Sequence, residues 1–146
     1  MFASRKSLSA PRTKESQPAR TLLVVDDDSA VRQLLAQILD MNGYQVLQAE
    51  DATDALRVAR VTPTIHLLVT DYSMPGRNGL TLTREFREVH PQTPVLMVSG
   101  SRPEIVGEIG DLECFELLDK PFVLDDLIEK VRTLLDVAAS PPRRTC

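Results

Sequence analysis

Four places in this 146-residue sequence put a reactive side chain at or just past the end of a short, mainly apolar run. Asp26-Asp27-Asp28 follows Leu22-Leu23-Val24-Val25, Asp71 follows Leu67-Leu68-Val69, Ser99 follows Val95-Leu96-Met97-Val98, and Lys120 follows Glu116 to Leu118. Asp28 or Ser29 has an ordinary task as a helix cap. Asp26 and Asp27 are harder to explain that way. If Asp71 reaches the same edge, three like charges converge and resist ionisation until a cation is bound. Carboxylate, carbonyl and water ligands point to a hard cation such as Mg²⁺, which keeps several waters and typically helps to bind a phosphate. A carboxylate is also a nucleophile toward phosphorus, giving an aspartyl-phosphate, with the metal screening the charge between attacking oxygen and phosphoryl group. Lys120 supplies a compact positive charge for phosphoryl oxygens, and the Ser99 hydroxyl one donated hydrogen bond.

Each of these residues has a plain explanation when taken singly. Lysines are mostly surface groups, serines often cap or turn, and acidic runs are often solvated turns. The weight lies in the constellation. Lys120 is followed by Pro121, expected in a structural role, because proline fixes the chain direction and admits a cis peptide bond.

Positioning such a set requires elements that all end at one edge. From Thr21 onward an apolar run followed by a stretch with helical spacing recurs about five times, as in an alternating α/β domain on a parallel sheet. The uninterrupted runs fit strands covered on both faces. Tyr44 to Ala49 reads as a weaker second strand and Glu116 to Leu118 as a short fifth. Val31, Leu34, Leu35, Ile38 and Leu39 form one helical stripe, stopped by Asn42-Gly43. Thr53 to Arg60 and Leu80 to Val89 read as the next helices, and Leu124, Leu127, Ile128, Val131, Leu134 and Leu135 give the last helix its inward face. Arg102 to Leu112, with Pro103, Gly107 and Gly110, reads as a short or frayed helix. Right-handed crossovers then predict a three-layer, flavodoxin-like (βα)5 domain whose five-stranded parallel sheet has the order 2-1-3-4-5, with functional residues at the carboxyl ends of the strands.

The chain is long enough for one domain with a real core, given 42% hydrophobic residues. Residues 1–20 are basic and rich in Ser and Pro, and read as a disordered leader. Residues 21–137 form the expected domain and 138–146 a disordered tail. Thr21 to Ala139 carries 10 basic and 20 acidic residues, so this part is near −10 while the whole chain is −4. So acidic a surface is poorly suited to a phosphate backbone, and no DNA-binding domain is read in these residues. No run is long and apolar enough to span a bilayer. Cys114 and Cys146 lack metal-ligand spacing and fit a reducing, cytoplasmic location.

The segments LLVVDDDSAVR, LLVTDYSMPGRNGL, PVLMVSGS and DKPF, in this order, resemble the receiver domains of two-component response regulators over about Thr21 to Val137. The resemblance implies that Asp71 is phosphorylated and that Asp27, Asp71 and the Ser73 backbone carbonyl bind Mg²⁺, with Asp26 acting largely through water. It further implies that Ser99 turns toward the phosphoryl group, that Lys120 pairs with it, and that Met74-Pro75 and Asn78-Gly79 belong to the loop closing over the site. Two features depart from the family pattern. Leu117 stands where many members keep a Tyr or Phe that swings inward, and the stretch between Ser99 and Lys120 is about one residue shorter than usual.

By the same resemblance the expected partners are a sensor histidine kinase or histidine phosphotransfer protein and a downstream effector protein. The expected molecule is a signalling domain, not a turnover enzyme, and a monomer or a phosphorylation-dependent dimer. It acts alone or within a hybrid system. A phosphatase of the haloacid dehalogenase type would need an Asp-x-Asp signature after the first strand, with Asp71 followed by its general acid; Tyr72-Ser73 follows instead. A nucleotide-binding reading lacks both glycine-rich loop patterns. A receiver-like fold used only for protein binding has Leu117 and the shortened stretch in its favour, and phosphate uptake separates it from a phosphoacceptor.

Overall fold

Uninterrupted apolar strands need cover on both faces, and the computed structural model, which describes residues 19–100 and 115–139, gives them that cover. The elements are β1 (Thr21–Val25), α1 (Ser29–Met41), β2 (Gln45–Ala49), α2 (Ala52–Val61), β3 (Leu67–Asp71), α3 (Gly79–Val89), β4 (Val95–Ser99), β5 (Phe115–Asp119) and α4 (Leu124–Ala139). All the strand pairs are parallel and the sheet order is β2-β1-β3-β4-β5, as expected. The possible helix over 102–112, most of the leader, nearly all of the tail and both cysteines lie outside the described residues. No helix among the described residues is long and apolar enough to cross a membrane.

Alternation along each strand divides the core in two. Leu22, Val24, Leu67, Val69, Leu96, Val98 and Leu118 face α1 and α4, packing on Leu35, Ile38, Leu39, Leu127, Val131, Leu134 and Leu135. Leu23, Val25, Leu68 and Val95 face α2 and α3, against Ala55, Leu56, Ala59, Leu82 and Phe86. Each fully buried Leu or Phe contributes about 1.5–3 kcal/mol relative to exposure, so the polar edge is carried on a rigid frame.

Helix starts follow from short polar caps. Asp28 accepts from the amides of Ala30 and Val31, Asp51 from Asp54, and Asn78 from Thr81. Gly43, at φ 96°, follows the Asn42 cap that ends α1. Two inward positions differ from the sequence expectation. Leu34 is 54% exposed while Ala36 is buried, so the α1 stripe is turned toward Ala36 about Leu35 and Leu39. Leu124, at the start of α4, is also exposed. Helices α2 and α3 start one residue earlier than their apolar patterns, because their capping residues Asp51 and Asn78 set the first turn.

Candidate functional site

Strands β1, β3, β4 and β5 bring Asp26, Asp71, Ser99 and Lys120 to one edge of the sheet. Asp26, Asp71 and Ser99 are buried, with Asp26 only 2% exposed; Asp27 is exposed. One carboxylate oxygen from each of Asp26, Asp27 and Asp71 can be chosen so that all three lie within 4.8 Å of one another. Lys120 Nζ donates to Asp71 Oδ1 at 3.2 Å. The Lys120 amide donates to the Ser99 carbonyl at 2.8 Å, tying the end of β5 to the end of β4. The Lys120–Pro121 peptide bond is cis.

Burial raises the Asp26 carboxyl above its ordinary value, and the nearby charges of Asp71 and Asp27 add to this. The Asp28 amide, donating to Asp26 Oδ1 at 2.9 Å, and the Lys120 ammonium work the other way. Among the described residues, Lys120 is the cation in contact with these carboxylate oxygens, through Asp71 Oδ1, and the cluster has room for further positive charge. An oxygen-only donor set with one exposed, water-accessible member fits Mg²⁺, which takes few protein oxygens and keeps waters. Asp119 is exposed and outside this cluster.

The backbone beneath Asp71 is held from several sides. The Thr70 hydroxyl donates to the Asp71 carbonyl at 3.0 Å, and the Tyr72 amide to the Val98 carbonyl at 3.0 Å. The Gly79 amide donates to the Tyr72 carbonyl at 2.8 Å, and the Thr83 hydroxyl to the Gly79 carbonyl at 2.8 Å. The intervening loop has Ser73 exposed, Met74 packed on the α2/α3 core, and Arg77 paired with Glu85 of α3 at 3.0 Å.

Gly79 is a position whose importance is invisible in the local pattern. A Cβ there would lie 2.5 Å from the Asp71 carbonyl oxygen and 3.1 Å from both Met97 Cε and Tyr72 Cα. Glycine to alanine in a helix ordinarily gains about 1 kcal/mol. Here the sign should reverse, with Gly79→Ala losing about 1–3 kcal/mol to overpacking; urea denaturation checks this, and a gain contradicts the contact.

Leu117 is buried, opposite Met97 in the β4–β5 register, and shares a small cluster with Met97 and Leu80 on which Tyr72 and Phe115 also pack. Leucine has no ring to turn at this position; the aromatic groups of the cluster are those of Tyr72 and Phe115. Two further contributors are Arg32 and Gln48. Arg32 Nη1 donates to the Asp26 carbonyl at 2.8 Å, and Arg32 Nε to Gln48 Oε1 at 3.2 Å.

Residues 22–132 match the family model of the response regulator receiver domain. The transcriptional regulatory protein CpxR of Klebsiella pneumoniae is 37% identical over 115 residues, which cover 78% of this chain and 48% of that protein. The chain thus spans about half the length of such relatives. The receiver domain of the hybrid histidine kinase CckA superposes with a TM-score of 0.68 at 34% identity, covering 79% of this chain and 98% of that one. The chemotaxis protein CheY4 of Vibrio cholerae does so with a TM-score of 0.74 at 27% identity, covering 80% and 99%.

Proposed function

We propose, from the premise that this chain belongs to the response regulator receiver domain family of two-component signalling, that Asp71 takes a phosphoryl group from the phosphohistidine of a sensor kinase or phosphotransfer protein. The observation that carries this reading is the meeting of the buried Asp71 with Asp26, Asp27 and Lys120 at one sheet edge.

An Asp71 carboxylate oxygen attacks phosphorus in line with the P–N bond. That bond breaks, its electron pair leaves on the imidazole, which takes up a proton, and an acyl phosphate remains on Asp71. Asp26, Asp27, Asp71 and the Ser73 carbonyl would hold Mg²⁺, which when bound neutralises charge between carboxylates and phosphoryl oxygens. Lys120 stands at 3.2 Å from Asp71 Oδ1 and transfers its contact to a phosphoryl oxygen. Ser99, at the end of β4, donates its hydroxyl to another.

The phosphorylated edge then biases the surface around β5 and α4, and with it binding of an effector protein, until hydrolysis resets the domain. The chain promotes its own phosphorylation by a phosphohistidine donor and its own dephosphorylation by water. Incubation with a small acyl phosphate or phosphoramidate in Mg²⁺ should add one phosphoryl group by intact mass, and chelation should prevent it. Equal uptake after chelation would sink the metal-centre part of the reading.

A further inference from the structure

Asp27 differs from the other two carboxylates of the cluster in having no burial to hold it. Its direction therefore depends on the backbone that carries it. The peptide unit joining Asp26 to Asp27 is planar, so fixing the Asp26 carbonyl also fixes the plane from which Asp27 springs. Arg32, in the second turn of α1, holds that carbonyl with Nη1 at 2.8 Å, while its Nε is anchored on Gln48 Oε1 at 3.2 Å. Gln48 lies in β2, whose neighbour Ala49 accepts from the Asp26 amide at 3.3 Å. The Asp26 side chain is held separately, by the Asp28 amide at 2.9 Å.

We propose that Arg32 is a positioning residue for the metal centre: its fork links β2 to the Asp26–Asp27 peptide and keeps the exposed Asp27 carboxylate converged on Asp26 and Asp71. The inference rests on the Mg²⁺ reading above and adds a residue that touches neither metal nor phosphoryl group. Its effect is opposite in sign to that of its charge. A guanidinium near a cation site repels the cation, so by Coulomb's law alone the loss of Arg32 would tighten Mg²⁺ binding. A positioning role requires the loss to weaken it. Lysine does not substitute, because a single ammonium lacks the rigid planar fork that spans both acceptors.

The test is Mg²⁺ titration by calorimetry of the metal-free wild type, Arg32→Ala and Arg32→Lys, with circular dichroism confirming that each is folded. Both variants should bind Mg²⁺ about 10- to 100-fold more weakly, the usual range for residues that orient metal ligands. Unchanged or tighter binding by Arg32→Ala overturns the proposal, as does wild-type affinity in Arg32→Lys, which also decides the matter if the alanine variant does not fold. A wild type that binds no Mg²⁺ overturns the metal-centre reading itself, a result distinct from wild-type binding that the variants leave unaltered.

Discussion

Asp71→Asn should lower phosphoryl uptake by on the order of 10³-fold or more, as expected when a covalent nucleophile is removed, while leaving the fold in place. An amide is nearly the same shape as a carboxylate but is a poor nucleophile. The hydrogen bonds that hold this position run through its backbone, from Thr70 to the Asp71 carbonyl and from the following Tyr72 to Val98, so they survive the change. What is lost is the attacking oxygen and its pairing with the Lys120 ammonium. Radiolabel or intact-mass measurement with a small phosphodonor in Mg²⁺ reads the result. Uptake equal to wild type would move the acceptor elsewhere in the chain.

A second large effect is a reversal of stability between wild type and Asp26→Asn on adding Mg²⁺. Asp26 is buried, and its folded carboxyl titrates above its ordinary value of 3.8. A raised folded pKa contributes stability that is fully present below the ordinary value and lost as pH rises through the folded value. At neutral pH the ionised Asp26 therefore costs the metal-free protein stability. Asparagine removes that cost while still accepting from the Asp28 amide, so the metal-free variant should unfold at a higher temperature than wild type. The difference should fade below the ordinary carboxylate value. With Mg²⁺ a hundredfold above its Kd, mass action adds about 2.7 kcal/mol to wild type. Asp26→Asn, short of one member of the cluster, should lose most of this gain. Thermal unfolding with Mg²⁺ and with chelator checks both halves, and parallel shifts in the two proteins would contradict the role of Asp26.

The sheet order and the converging acidic edge were legible because both depend on local pattern: unbroken apolar runs mark doubly covered strands, and parallel crossovers bring every strand end to the same side. Lys120 and Asp71, forty-nine residues apart, could be placed at one edge in advance for that reason, though their direct contact could not. Nor could the contacts of Gly79 and Arg32. A glycine at a helix start looks permissive until the Asp71 carbonyl is found where its Cβ would be. An arginine at the edge of an amphipathic helix looks like a solvated charge until its fork meets a carbonyl and a glutamine of another strand. Leu34 and Ala36 show the same limit on a smaller scale. Hydrophobicity favoured Leu34 as the inward residue, but the face of α1 that meets the sheet includes Ala36 and leaves Leu34 exposed, so the smaller side chain is the buried one.

Leu117 bears on how the phosphate would be read out. It packs with Met97 and Leu80 in a cluster on which Tyr72, just past the end of β3, also packs, so an apolar connection runs from that end to β5. The acceptor assignment itself does not depend on that connection. Its most direct measurement is the location of the phosphoryl group: reduction of the phosphorylated protein with labelled borohydride, which attacks acyl phosphates, followed by peptide mapping. The label should fall on the peptide containing Asp71 and at that residue. Label at Asp26, Asp27 or any other carboxylate, with Asp71 unmodified, would contradict the account.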